Sequence, residues 1–208
     1  MRCTIIALAI LFLETGCEDI GTNHVQADLP ISHGSVQAGH GNHVTMGDKE
    51  LPLSGKGRIE VGKPLPSAVV TSSKLKNVNI ANLGNSIRII NVVPSLDTPV
   101  CEKQTHELSE ENGELDESVE LITISMDLPF AQSRFAKEAK IRNVTFLSDY
   151  KSRSFGNSNG LLIEPLALLT RSVIVVDEDN IVRYLQIVPE LRALPDMKAA
   201  MAAARALL

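Results

Sequence analysis

Hydrophobic and polar positions vary along this chain in short stretches, and the spacing of the apolar residues shifts between the period of a strand and that of a helix. An almost wholly apolar run comes first, residues 3–13 (CTIIALAILFL), broken only by Thr4. From Val44 onward the pattern is that of strands. Val44-Thr45-Met46 and Lys49-Glu50-Leu51 flank Gly47-Asp48, which predicts a small hairpin. Alternation continues weakly through residues 68–70 and 78–80. Residues 87–93 (IRIINVV) and 119–125 (VELITIS) are short and mostly apolar, as strands covered on both faces are. Residues 172–176 (SVIVV) enter the turn Asp177-Glu178-Asp179-Asn180, and residues 181–188 (IVRYLQIV) leave it, predicting a second hairpin. Helices are expected over about residues 99–115, 130–140 and 195–208. Strands alternating with helices, followed by a late hairpin, predict an α/β domain with a central mixed sheet flanked by helices.

The first apolar run stands apart from that domain. It follows Arg2, and the next Lys or Arg is Lys49. It has the length of a signal-peptide core and is short for a membrane-spanning helix. Glu14-Thr15-Gly16-Cys17 then places a small residue before a cysteine. This resembles a bacterial lipoprotein box, although Glu14 stands where such boxes carry an apolar residue. The expectation is an exported leader over residues 1–17 with Cys17 as lipid acceptor, and export without the lipid as the alternative. The protein is then placed in the bacterial cell envelope, touching a membrane only through that lipid. Residues 18–43, with Gly21, Gly34, Gly39 and Gly41 and no sustained period, read as a flexible polar linker. His24, His33, His40 and His43 fall in it. The spacing of His40 and His43 could suit a metal, but solvated linker histidines are the simpler reading. Residues 44–208 form the domain.

Composition narrows the function classes. A chain of 208 residues with 44% apolar and 22% charged residues makes one domain with an extension. The net charge is −5, Trp is absent, and no aromatic residue lies between Phe12 and Phe130. Nucleic acid, which needs phosphate contacts and stacking platforms, is excluded as a partner. The cysteines are Cys3, Cys17 and Cys101. Cys3 leaves with the leader and Cys17 is acylated or lost, so the mature domain holds one thiol and no internal disulfide. A lone thiol in an exported protein points to a reactive role.

The stretch around that thiol is the most informative in the chain. Pro94-Ser95-Leu96-Asp97-Thr98-Pro99-Val100-Cys101 follows an apolar strand and opens a helix. Thr98 is a good N-cap and Pro99 suits the first helical position. Cys101 then falls at the third, where unpaired N–H groups and the helix dipole stabilise a thiolate. Thr105 and Leu108 share its face, while Glu102, Glu107, Glu110 and Glu111 point elsewhere. On the residues alone, an inert buried cysteine and a reactive one remain equal alternatives.

Pro94, Thr98 and Cys101 match the peroxidatic loop of the peroxiredoxins: Pro, three residues, Thr, two residues, Cys. The string Asp97-Thr98-Pro99-Val100-Cys101 resembles the thiol peroxidase branch of that family. Residues 125–135 (SMDLPFAQSRF) resemble the segment that marks the same branch, as does the stretch from Leu147-Ser148-Asp149-Tyr150 to Thr170-Arg171-Ser172-Val173. Taken together the likeness covers nearly all of residues 44–208. It implies a thioredoxin-like fold with an N-terminal β-hairpin, usually a homodimer, acting on peroxides without metal or organic cofactor. Cys101 would be the attacking thiolate, passing through a sulfenic acid. Thr98 and Arg171 would hold thiolate and peroxide, and Pro94 would shield the sulfur. From its own surroundings Arg171 reads as a strand-end surface residue; only the likeness gives it a role. One departure stands out. The branch commonly carries a resolving cysteine just after Ser-Arg-Phe, and here Ala136 follows Phe135. Recycling must then use an external thiol, a thioredoxin-like protein or a small thiol. The alternative is a non-catalytic redox sensor or binding module on the same fold.

Overall fold

The computed structural model describes residues 29–208. The apolar run, Cys17 and the first part of the expected linker lie outside the described residues. The chain passes in order through strands β1 (His43–Met46), β2 (Lys49–Ser54), β3 (Val69–Ser72), β4 (Asn77–Asn79) and β5 (Arg88–Val92), then helix α1 (Pro99–Glu110). Strand β6 (Glu120–Ser125), α2 (Pro129–Glu138), β7 (Val144–Ser148) and α3 (Ser154–Asn159) follow. Two short strands, β8 (Leu162–Ile163) and β9 (Leu168–Leu169), precede β10 (Ser172–Val176), β11 (Val182–Ile187) and α4 (Met197–Arg205).

The main sheet has the order β11-β10-β5-β6-β7-β3-β4. Strands β5, β6 and β7 run parallel and the outer pairings are antiparallel, so the sheet is mixed, as expected. Strand β5 lies inside it, between β10 and β6, and all five of its residues are buried. That is why its sequence is nearly continuous in apolar residues rather than alternating. The expected hairpins form. Strand β1 pairs with β2 through a turn in which Gly47 has φ +66°. Strand β10 pairs with β11 through a turn in which Asn180 has φ +63°. The first hairpin joins β8 and β9 in a second, four-stranded sheet.

Alternate side chains of the central strands divide the core in two. Ile90, Val92, Ile122, Ile124, Ile174 and Val176 face β2 and α3 and pack with Leu51, Leu53 and Phe155. Ile89, Val93, Leu121, Val173 and Val175 face the other way, under Cys101 and Leu108 of α1 and Ala200, Met201 and Ala204 of α4.

Three expectations change. Residues 30–39 are not followed as a tether. Ser32 N–H donates to Leu194 O at 2.8 Å, Leu194 N–H to Pro30 O at 2.8 Å, Val36 N–H to Ile187 O at 3.0 Å and Gly39 N–H to Gly160 O at 2.8 Å. The segment satisfies exposed backbone groups of the sheet edge and the C-terminal loop, so packed structure begins near Pro30 rather than Val44. Helix α1 stops at Glu110, short of residue 115, because Asn112 folds its amide back onto Leu108 O and Ser109 O and Gly113 turns the chain at φ +61°. Finally, β7 and α3 form where no sequence period announced them. Helix α3, a six-residue run of Ser, Phe, Gly and Asn, is nucleated by Asp149, whose carboxylate accepts N–H from Phe155 and Gly156, each at 2.9 Å.

Candidate active site

The chain leaves β5 through buried Pro94 and turns into α1. Thr98 is the N-cap by backbone conformation (φ −141°, ψ 142°) and Pro99 the first helical residue. The first ladder bond runs from Glu102 N–H to Thr98 O at 3.0 Å. Cys101 therefore sits at the third position, ahead of that ladder, where the helix offers unpaired N–H groups and a positive dipole end. Its side chain is 1% exposed.

Arg171 reaches it from the neighbouring strand. This residue stands just before β10 and is 2% exposed, so it is not the surface residue that its own surroundings suggested. All three of its side-chain nitrogens donate: Nε to Leu191 O at 3.0 Å, Nη1 to Gln104 Oε1 at 2.6 Å and Nη2 to Cys101 Sγ at 3.4 Å. None of its partners is a carboxylate. The guanidinium charge is thus left without an anionic partner among the described residues, with Nη2 directed at the sulfur.

Thr98 and Pro94 are placed differently. Pro94 is buried, just past the end of β5 where the chain turns toward α1. Thr98 is exposed, its hydroxyl makes no cap bond, and it donates instead to Ser95 O at 3.1 Å. The structure thus brings Cys101 and Arg171 together and leaves the Thr98 hydroxyl turned toward its own loop.

That loop is held by the second marked stretch. Asp127 Oδ1 accepts from Ser95 Oγ at 2.7 Å and Oδ2 from Leu96 N–H at 2.8 Å. Ser148 Oγ donates to Asp127 O. Gln132 Nε2 donates to Ser125 Oγ at 3.0 Å and to Leu147 O at 2.8 Å. The two separate sequence strings therefore meet: residues 125–135 clamp the turn that precedes Cys101. Two charge-assisted bonds of this kind contribute about 1.5–3 kcal/mol each when well formed.

The chain can now be set beside known proteins. The Redoxin family model matches residues 60–201. A thiol peroxidase of Clostridium acetobutylicum is 42% identical over 158 residues, covering 76% of this chain and 94% of that protein. One from Streptococcus pneumoniae is 40% identical over 164 residues, 79% of this chain and 99% of the relative. The chain belongs to the thiol peroxidase branch of the peroxiredoxins. Among solved structures, a peroxiredoxin-like protein from Aquifex aeolicus superposes with a TM-score of 0.74 at 34% identity, over 82% of this chain and all of that one. A thiol peroxidase from Chromobacterium violaceum, at 24% identity and a TM-score of 0.71 over 80% of this chain, shares the fold.

Within this peroxiredoxin site, reasoning from the sequence missed three residues. Gln104 is fully buried and holds Arg171; its place three residues after Cys101 on the same helical face was the available signal. Asn91 lies inside the apolar run of β5 and is also fully buried; a buried amide in such a run asks for partners. Asp127 lies within the marked stretch 125–135, where no local pattern names its distant partners. Conversely, Ala136 is half-buried in α2 and packs with Phe135 and Ala139 against the core that holds Cys101.

Proposed function

We propose that this protein reduces peroxides with Cys101 as the attacking thiolate and takes its electrons from an external thiol. The observation that carries the reading is the contact of Arg171 Nη2 with Cys101 Sγ at 3.4 Å, at the start of a helix and away from water. The thiolate attacks one oxygen of the peroxide. A sulfur–oxygen bond forms, the O–O bond breaks, and the departing alkoxide or hydroxide takes up a proton to leave as alcohol or water. Arg171 holds the thiolate and then faces the charge that develops along the breaking bond, and the unpaired N–H of Cys101 can donate to the incoming oxygen. The Thr98 hydroxyl turns from Ser95 O to the peroxide, and Pro94 keeps bulk water from the sulfur.

The resulting sulfenic acid needs a thiol. Cys101 is the sole cysteine among the described residues, and the position after Phe135 is Ala136. An outside thiol attacks the oxidised sulfur and releases water, and a second thiol frees Cys101 and leaves as a disulfide. The reductant is a thioredoxin-like protein or a small thiol. A second copy of the chain is the expected partner, which the exposed side chains of Leu128 (51%) and Phe130 (66%) support. Residues 1–17 are proposed to export the protein to the bacterial envelope, with Cys17 carrying a lipid. The test of the chemistry is peroxide consumption with excess thiol. Cys101→Ser loses it completely, because a hydroxyl stays protonated at neutral pH. Unchanged consumption in that variant refutes the assignment.

A further inference from the structure

Between α1 and the sheet, in a layer that is otherwise apolar, lie five buried polar side chains: Asn91, Gln104, Thr105, Thr123 and Arg171. Strand register places two of them side by side, with a third, Arg171, one step along the same face. Asn91 stands opposite Thr123 on β6 and opposite Val173 on β10, two residues after Arg171. A polar row in a core costs stability unless every member is satisfied, and is most useful where it fixes one arrangement among several.

The direction of each bond in this row follows from its ends. Arg171 can only donate, so Gln104 must offer it Oε1, at 2.6 Å. That turns Gln104 Nε2 toward Asn91, which must receive it on Oδ1. The Asn91 amide then points its Nδ2 at Thr105 Oγ1, 3.3 Å away, and Thr123 Oγ1, 3.1 Å away. Both hydroxyls must accept there, and the Thr105 proton goes to Cys101 O at 2.8 Å. The chain of bonds thus leaves Cys101 at its sulfur, through Arg171, and returns to Cys101 at its carbonyl. Among the described residues, the one other partner of Gln104 Nε2 is Ser172 O at 3.5 Å, at the limit of a hydrogen bond.

The geometry points to Asn91 as a positioning residue: its amide fixes which end of Gln104 faces Arg171, and so holds the guanidinium on the Cys101 sulfur. The inference rests on Cys101 being the peroxide-reducing thiol. An amide such as Gln104 has two unlike ends, one that accepts and one that donates. Turned about, it would present NH₂ to the guanidinium and repel it. Asn91 never touches peroxide or sulfur and acts only through Gln104 and Arg171.

A carboxylate has no wrong end, and this makes the inference testable. Asn91→Leu is measured alone and in the Gln104→Glu background. Two rates of Cys101 are followed across pH: oxidation by hydrogen peroxide, and alkylation by iodoacetamide, which reports the thiolate with no peroxide present. In the native background, losing the orienting bond slows oxidation about tenfold, and the pH profile of alkylation moves to higher pH. In the Gln104→Glu background, the same substitution changes oxidation by less than about threefold, since the two sites no longer couple through orientation. Asn91→Ser, too short to reach Gln104, gives the same reading where Asn91→Leu does not fold. A rate within twofold of wild type in the native background overturns the inference, and so does an equal loss in both backgrounds, which would mean packing alone. If wild type consumes no peroxide, the proposed function fails instead, and the alkylation profiles still decide the role of Asn91.

Discussion

Two arginines lie on neighbouring strands of the central sheet, at opposite ends. Arg88 opens β5 and pairs with Val176, and Arg171 stands just before β10, where Ser172 pairs with Val92. Both are buried, at 0% and 2% exposure, and among the described residues neither has a carboxylate within ion-pair distance. There the likeness ends. Arg88 donates to Ile80 O at 2.9 Å and to Asn180 Oδ1 at 2.8 Å, and its Nε has no partner among the described residues. Burial pulls its pKa below the usual arginine range, partly offset by the fields of Glu120 and Asp177. It ties the 3-10 turn after β4 to the β10–β11 turn. Arg171 spends one nitrogen on a carbonyl, one on an amide and one on a sulfur. A buried guanidinium is therefore not a sign of chemistry by itself. The sign is a polarisable, ionisable neighbour on which the unneutralised charge can act.

Removing each arginine in turn separates their roles. Arg171→Ala should slow Cys101 oxidation by about 10²- to 10³-fold, the usual loss when one preorganised donor to a developing charge is deleted. Arg88→Met should leave that rate within about twofold while lowering stability by about 1–3 kcal/mol, because Ile80 O and Asn180 lose their donor. Stopped-flow oxidation and thermal melts of the two variants check both halves. Equal kinetic effects would erase the distinction.

A smaller effect is expected at Asp127, which acts on the loop rather than the sulfur. Asp127→Ala frees Ser95 and Leu96 and should slow oxidation about tenfold, with a melt lowered to match one or two lost charge-assisted bonds. Full activity with only a lowered melt would make the clamp purely structural.

A last effect, on stability alone, concerns a buried anion. Asp149 is 1% exposed, and burial raises its pKa to about 6, only partly countered by N–H groups of Gly156, Phe155 and Ser154. The folded pKa lies above the unfolded one, so its proton favours the fold. That contribution is complete below about pH 4 and is lost as pH rises through about 6. Between pH 4 and 7 the wild type should therefore lose on the order of 2 kcal/mol relative to Asp149→Asn. Parallel melting curves across that range would contradict the assignment.

How much of this could be seen in the sequence differs between elements. The central strands and both hairpins were legible because burial on both faces leaves apolar runs, and because Gly47 and the Asp177 to Asn180 turn mark the reversals. Cys101 and its place in α1 were legible from Thr98 and Pro99. Helix α3 was not, since its six residues have no period and its start depends on Asp149, a contact made by folding. The packed course of residues 30–39 depends on distant partners such as Leu194 and Gly160, which no local pattern reveals. The same holds at the site. Nothing around Arg171 in the chain distinguishes it from Arg88; its role came from family likeness, and its bond to Cys101 spans 70 positions. Gln104 was within reach of helical spacing, whereas Asn91 required knowing which strand faces α1.

The role of Cys101 is tested most directly by mass spectrometry of the protein, made with its own leader, before and after one equivalent of hydrogen peroxide without thiol. The mature chain is expected to begin at lipid-bearing Cys17. One added oxygen is expected on the peptide that holds Cys101, trapped by a sulfenate-specific reagent in wild type and absent in Cys101→Ser. Oxygen found only on methionines, with Cys101 unmodified while peroxide disappears, would rule out Cys101 as the peroxide-reducing thiol.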